Sequence, residues 1–97
     1  MIVKKANSIL HAIDKARERQ PLVEARHARP GDFWVAGTSS AYLVEVRDGK
    51  AICTGSWKGP CPGFEHTGCC YHAAVVALAV GLFTEAHEDA LRGTVAA

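Results

Sequence analysis

The sequence contains no hydrophobic run long enough to cross a membrane. Its longest apolar stretch, residues 73–83, is about half the length that a membrane span requires. The first residues pass directly into Lys4 and Lys5, which is not the pattern of a secretory signal peptide. We therefore expect a cytoplasmic (intracellular) protein with no membrane association. In that reducing compartment, clustered cysteines favour metal binding over disulfides.

The sequence also has no strong excess of positive or negative charge. Lys and Arg total 11 and Asp and Glu total 10, although all but one of the basic residues precede Pro62. Strong nucleic-acid binders usually carry a clear basic excess. The uneven charge leans toward an anionic partner, but we favour an ordinary solvated surface as its explanation.

No internal repeat divides the chain. At 97 residues it has room for a single domain with a modest core, and such small scaffolds often need a disulfide or a metal as a staple. Within a single domain over residues 1–97, we expect an N-terminal helix over 1–21, a β extension over 22–41 and a zinc-binding module over 42–92.

Hydrophobic periodicity predicts a first helix over residues 3–20, which Pro21 ends. Its apolar face would carry Ile2, Ala6, Ile9, Leu10 and Ile13. Four strands are then expected over 22–27, 33–36, 42–46 and 50–53, with turns at 29–32, 37–40 and Asp48-Gly49.

Residues 55–68 are rich in Gly and Pro and predict an irregular loop that needs a tether. A second helix is expected from Tyr71, ending between Asp89 and Arg92, with a frayed tail from Gly93. The fold class is therefore α+β: an N-terminal helix, a small antiparallel sheet or hairpin, a zinc-binding loop and a C-terminal helix.

Three thiols and one imidazole dominate the chemistry of this chain. They are Cys53, Cys61, Cys70 and His72, which form a ligand set suited to a tetrahedral Zn²⁺ ion. Cys69 competes with Cys70 as the third ligand, and His66 competes with Cys61. The remaining histidines, His11, His27 and His87, carry no ligand argument. Buried or oxidised cysteines are the alternative to a metal site.

The segment from Tyr42 to Leu82, about half of the chain, resembles the SWIM-type zinc finger family. That family has C-x-C, a variable gap and then C-x-H leading into a helix, commonly after a β-hairpin. The chain has Cys53-Thr54, then Cys61-Pro62, then Cys70-Tyr71-His72-Ala73-Ala74, and it also looks like small stand-alone phage and bacterial proteins.

One departure from the family pattern concerns the first pair. Gly55 stands where the second Cys is expected, and the next thiol is Cys61, after an apparent insertion over residues 55–60. The Cys61-Pro62 context assigns the second-ligand role to Cys61. The C-x-H pattern favours Cys70 over Cys69.

The resemblance implies a DNA-binding or protein-interaction module. The first hypothesis is a small zinc-stabilised, DNA-associated protein, because basic residues beside aromatic ones suit phosphate contact and base stacking. The candidate contacts are Arg26, His27 and Arg29 near Trp34, and Lys58 near Trp57. For Trp34 we favour a core position; for Trp57 core and surface are equally open.

The second hypothesis is a protein–protein interaction adaptor acting on a replication, recombination or transcription machine, and the near-neutral charge favours it. We expect neither an enzyme nor a small-molecule substrate, since four protein ligands leave a zinc ion no open position. An alternative enzyme using Cys70 or Cys69 with His72 has no evident third orienting group.

Overall fold

The computed structural model describes residues 2–37 and 40–96, and for residues 2–4 and 96 it describes the backbone alone. The first helix, α1, spans Ile2–Arg19. Ala6, Leu10 and Ile13 of its predicted apolar face are buried; the side chain of Ile2 lies outside the described part. Gln20 follows with a φ of 46°, and Pro21 has no N–H to continue the helix.

Four antiparallel strands form one sheet in the order β1-β2-β3-β4: Val23–Ala25, Asp32–Ala36, Ala41–Arg47 and Lys50–Gly55. The first strand is shorter than expected, because from Arg26 the chain enters a turn in which the Arg26 N–H donates to Asp32 O. Asp48 and Gly49 both have positive φ, as a two-residue hairpin of the expected kind requires. Thr38 and Ser39 of the predicted second turn lie outside the described residues.

The predicted loop over 55–68 contains a short helix, α2, over Pro62–Thr67. Its signals are local: Pro62 occupies the first turn, and Gly68 ends the helix with a φ of 71°. The expectation of a wholly irregular segment was therefore wrong in its second half.

The predicted C-terminal helix is two helices, α3 over Tyr71–Ala79 and α4 over Glu85–Ala96. Gly81, with a φ of 79°, turns the chain between them, and the Thr84 hydroxyl accepts a hydrogen bond from the His87 N–H at the start of α4. The helix also continues past Gly93, where we expected a frayed tail, and Leu91 and Val95 are half-buried along it.

The elements stack as sheet, then α3, then α1 with α4. The principal core lies between the sheet and α3, and it contains Val35, Val44 and Val76 together with three cysteines. A second cluster joins α1 to α3 through Ala12, Ile13, Ala16 and Ala74. The α+β class is as predicted. Among the described residues, no helix has the length and apolar character needed to span a membrane.

Candidate metal centre

Three structural elements bring four ligand side chains together between the sheet and α3. Cys53 lies on β4, Cys61 directly precedes α2, Cys70 directly precedes α3, and His72 is the second residue of α3. All four are buried, with exposed fractions of 5%, 5%, 8% and 5%. The sequence prediction of this ligand set therefore coincides with one buried cluster.

The ligand atoms of the four residues all lie within 4.8 Å of one another. The distance from Cys61 Sγ to His72 Nδ1 is 3.8 Å. The four side chains can therefore hold a metal ion.

Two tyrosines fix the imidazole of His72. The ring of Tyr42 stacks on it with centroids 3.8 Å apart and planes 18° apart, and the ring of Tyr71 lies against it at 4.1 Å. His72 Nε2 is buried and has no hydrogen-bond partner among the described residues. The ring nitrogen that lies near a thiol is Nδ1, 3.8 Å from Cys61 Sγ, so the stacked ring presents Nδ1 to the cluster as a possible metal ligand.

The cluster stabilises one thiolate by itself. The pKa of the Cys70 thiol is lowered, chiefly by a hydrogen bond with Cys53 and, against the effect of burial, by His72 and the Ala73 N–H. The same hydrogen bond with Cys70, together with burial, raises the pKa of Cys53, and burial raises that of Cys61. Metal coordination by all three thiolates would therefore release protons.

The turn before Cys61 explains why Gly occupies position 55. Gly55 has a φ of 108°, and a Cβ there would collide with the Gly59 carbonyl oxygen and lie 2.8 Å from the Cα of Pro60. Ser56 and Gly59 exchange backbone hydrogen bonds of 2.9 and 3.0 Å, so the chain folds back over Gly55. This excursion carries the chain to Cys61, whose thiol joins the cluster.

The competing ligands lie outside the cluster. Cys69 is half-buried and packs in the α1–α3 contact, and His66 is exposed on α2. His11 and His87 are exposed, and His27 is exposed in the turn that follows β1. None of these three histidines joins the ligand cluster.

The predicted contact residues form two separate groups. Trp57 is 84% exposed with Lys58 Nζ 5.5 Å from its ring centroid, and Arg26 lies 5.7 Å from the ring of Trp34. Trp34 is 39% exposed, so our preference for a core position was wrong: it lies on the sheet face away from α3. The turn that carries Arg26 and Arg29 precedes β2, whereas Trp57 follows β4. Because β2 and β4 both run antiparallel to β3, Arg26 and Arg29 lie toward the opposite end of the sheet from Trp57, whereas Trp34 lies in the same row as Leu43 and Gly55.

Three arginines lie close to the carboxylate of Asp32 on that outer face. Arg47 forms the short contact, 2.7 Å to Oδ1, while Arg26 and Arg29 lie 3.8 and 3.7 Å from Oδ2. Arg47, Tyr42 and Tyr71 were not among the site residues predicted from the sequence. The position of Tyr71 between Cys70 and His72 is a usable signal, whereas Tyr42 reaches His72 only through the sheet.

Comparison with family models, curated proteins and solved structures finds no match for this chain. The resemblance to SWIM-type zinc fingers therefore stays a prediction.

Proposed function

We propose that the chain is a zinc-stabilised binding module that associates with DNA. The observation that carries the zinc assignment is the convergence of three buried thiols and one imidazole within 4.8 Å. Thiolate and imidazole ligands in tetrahedral sites are typical of zinc, and zinc–ligand distances of about 2.0 to 2.3 Å place neighbouring ligand atoms roughly 3.5 to 3.8 Å apart.

A site of this composition is structural rather than catalytic. Four protein ligands complete the tetrahedron and leave no position for water or substrate. The ligands also belong to a strand, a loop and a helix, so one ion would tie together the elements of the principal core.

Native mass spectrometry of the purified protein tests the zinc assignment. We expect one zinc ion per chain, and chelation should abolish most of the far-UV circular dichroism. A folded, metal-free protein would overturn the proposal, as would a stoichiometric metal other than zinc.

The proposed DNA association draws on the two aromatic–basic groups, Trp57 with Lys58 and Arg26 and Arg29 beside Trp34. Arg47 makes the short contact with Asp32, at 2.7 Å, whereas Arg26 and Arg29 lie 3.8 and 3.7 Å from it. Arg26 and Arg29 are therefore held less closely and can turn toward a phosphate. Fluorescence anisotropy with labelled DNA should give an affinity that falls steeply with salt.

The second candidate, a protein-interaction adaptor, is favoured by the exposed apolar side chains. Leu22 is 80% exposed, Trp57 84% and Ile52 38%. An apolar protein contact would keep its affinity as salt rises, in contrast to phosphate contacts. Absence of DNA binding at low salt would favour this candidate.

A further inference from the structure

A groove of about 580 Å³ runs between α1 and the part of the chain from α2 to the start of α3. One wall is the helix face that carries His11, Lys15 and Arg19, and the opposite wall carries His66. Tyr71 also lines the groove, beside Cys70 and His72 of the metal centre. The groove is therefore next to the metal centre, on the helical side of the sheet, whereas Trp34 lies on the outer face.

The positive charges in this groove are not neutralised by carboxylates. Lys15 Nζ and Arg19 Cζ each lie 5.2 Å from the ring centroid of Tyr71, and neither forms an ion pair with a described residue. Within the described part of the chain, no Asp or Glu lines the groove. By contrast, Arg17 of the same helix is paired with Glu88 at 2.6 Å.

The net charge of a zinc-loaded metal centre would offset the positive charge of the groove only in part. A zinc ion with three thiolates and a neutral imidazole carries one net negative charge, whereas Lys15 and Arg19 carry two positive charges. The ring of Tyr71 holds both cations at the groove by cation–π contact, which reduces the conformational entropy that they lose on binding an anion.

We propose that this groove binds a single-stranded nucleic-acid segment, with Lys15 and Arg19 contacting successive phosphates. The proposal rests on the DNA association proposed above; it adds a surface separate from the two aromatic–basic groups and names the form of the ligand. A concave groove of this volume is the size of a ligand pocket, whereas the reading of a duplex requires a helix or ribbon that projects into the major groove.

The test measures the binding of a labelled 15-mer of oligothymidine and of a labelled duplex by fluorescence anisotropy over a salt series. We expect the single strand to bind more tightly than the duplex. Lys15→Gln with Arg19→Gln should weaken oligothymidine binding by about tenfold or more. It should also reduce the slope of log K against log salt by about 1.4, or about 0.7 for each lost phosphate contact.

The matched control is Lys50→Gln, because Lys50 is exposed on the β3–β4 hairpin and does not line this groove. We expect Lys50→Gln to keep the part of the slope of log K against log salt that the groove contacts contribute. Zinc content and circular dichroism of every variant establish that the fold is retained.

The outcomes separate this proposal from the proposed function. If the wild type binds oligothymidine and the double variant binds with the same affinity and slope, the groove assignment is wrong while the DNA association stands. A preference for the duplex overturns the single-strand assignment alone. If the wild type binds neither probe at low salt, both proposals fail.

Discussion

Cys69 and Cys70 are neighbours in sequence that lie in different environments. Cys70 accepts a hydrogen bond from the Ala73 N–H at 3.4 Å and faces the other ligands, whereas Cys69 packs with the cluster that joins α1 to α3. The extended backbone at Cys70, with a ψ of 163°, turns successive side chains to opposite sides. Cys70 therefore belongs to the candidate ligand set, and Cys69 belongs to the contact between helices.

A pair of serine substitutions tests this assignment. Cys70→Ser should lose the zinc ion and with it most of the folded structure, because metal binding and folding are linked. Cys69→Ser should keep one zinc ion and lose less than about 1 kcal/mol of unfolding free energy. Native mass spectrometry and urea unfolding measure both quantities. Retention of zinc by the Cys70 variant and its loss from the Cys69 variant would reverse the assignment.

Gly55 permits the turn that delivers Cys61. Alanine there would adopt an unfavourable φ and also collide with the backbone of Gly59 and Pro60, so Gly55→Ala should cost about 2 to 4 kcal/mol of unfolding free energy and weaken zinc binding. Urea unfolding and competition for zinc with a chelator measure the two effects.

Gly59→Ala is the matched control, because Gly59 has a φ of 128° but a Cβ added there would meet nothing within 4 Å. It carries the backbone penalty without the collision and should cost about 1 to 2 kcal/mol. Equal effects of the two substitutions would show that the collision with the backbone of Gly59 and Pro60 does not contribute.

At the scale of elements, α1 and α4 are joined by an ion-pair network. Arg17 donates to both carboxylate oxygens of Glu88 at 2.8 and 2.6 Å, and Arg92 joins Glu88 to Asp14 of α1. Arg17 and then Arg92 lower the pKa of Glu88 from 4.5 to about 2. Because the folded-state pKa is depressed, the stabilisation is fully present above about pH 5 and is lost as the pH falls toward 2.

Glu88→Gln should therefore lower the unfolding free energy by an amount that is constant between about pH 6 and pH 8 and smaller in high salt. Urea unfolding with zinc present measures it. Asp89→Asn removes the same charge from α4 without breaking an ion pair to a described residue, and it should have little effect. If both variants behave alike, the stabilisation comes from net charge rather than from the network.

Local signals account for most of the elements that could be predicted from sequence. The period of Ala6, Leu10 and Ile13 specifies α1, and Asp48-Gly49 specifies the β3–β4 hairpin. The break at Gly81 could not be predicted, because the apolar pattern of α3 continues through the two residues that follow it, Leu82 and Phe83. A periodic pattern cannot distinguish a continuous helix from one that turns and returns to the same core.

The residues of the site could be predicted from the sequence, but their contacts with other elements could not. Cysteine and histidine carry their chemistry in their identity, so Cys53, Cys61, Cys70 and His72 could be proposed as ligands from the sequence. The preference for Cys61 over His66 and for Cys70 over Cys69 came from the resemblance to SWIM-type zinc fingers. The stacking of Tyr42 on His72 depends on which strand face turns toward α3, and the exposure of Trp34 depends on the same choice. Such contacts follow from tertiary packing, which a strand pattern does not specify.

At the scale of the whole molecule, the candidate metal centre is part of the main core rather than an appendage to it. The largest fully buried side chains among the described residues are Ile13, Val35, Val44 and Val76, and three of these lie in the cluster that contains the ligand cysteines. A core of this size stabilises a small domain only weakly, so the ion would supply much of the folding free energy.

Removal of the metal should therefore unfold the molecule as one unit. Hydrogen exchange followed by mass spectrometry, before and after chelation, should show loss of protection in β2, β3, β4 and α3 together, and in α1, whose buried face packs on α3. Re-addition of zinc should restore protection in all of them, because binding shifts the whole equilibrium. If exchange increased only over residues 55–70, the ion would be a local clamp on one loop, and the apolar core alone would hold the fold.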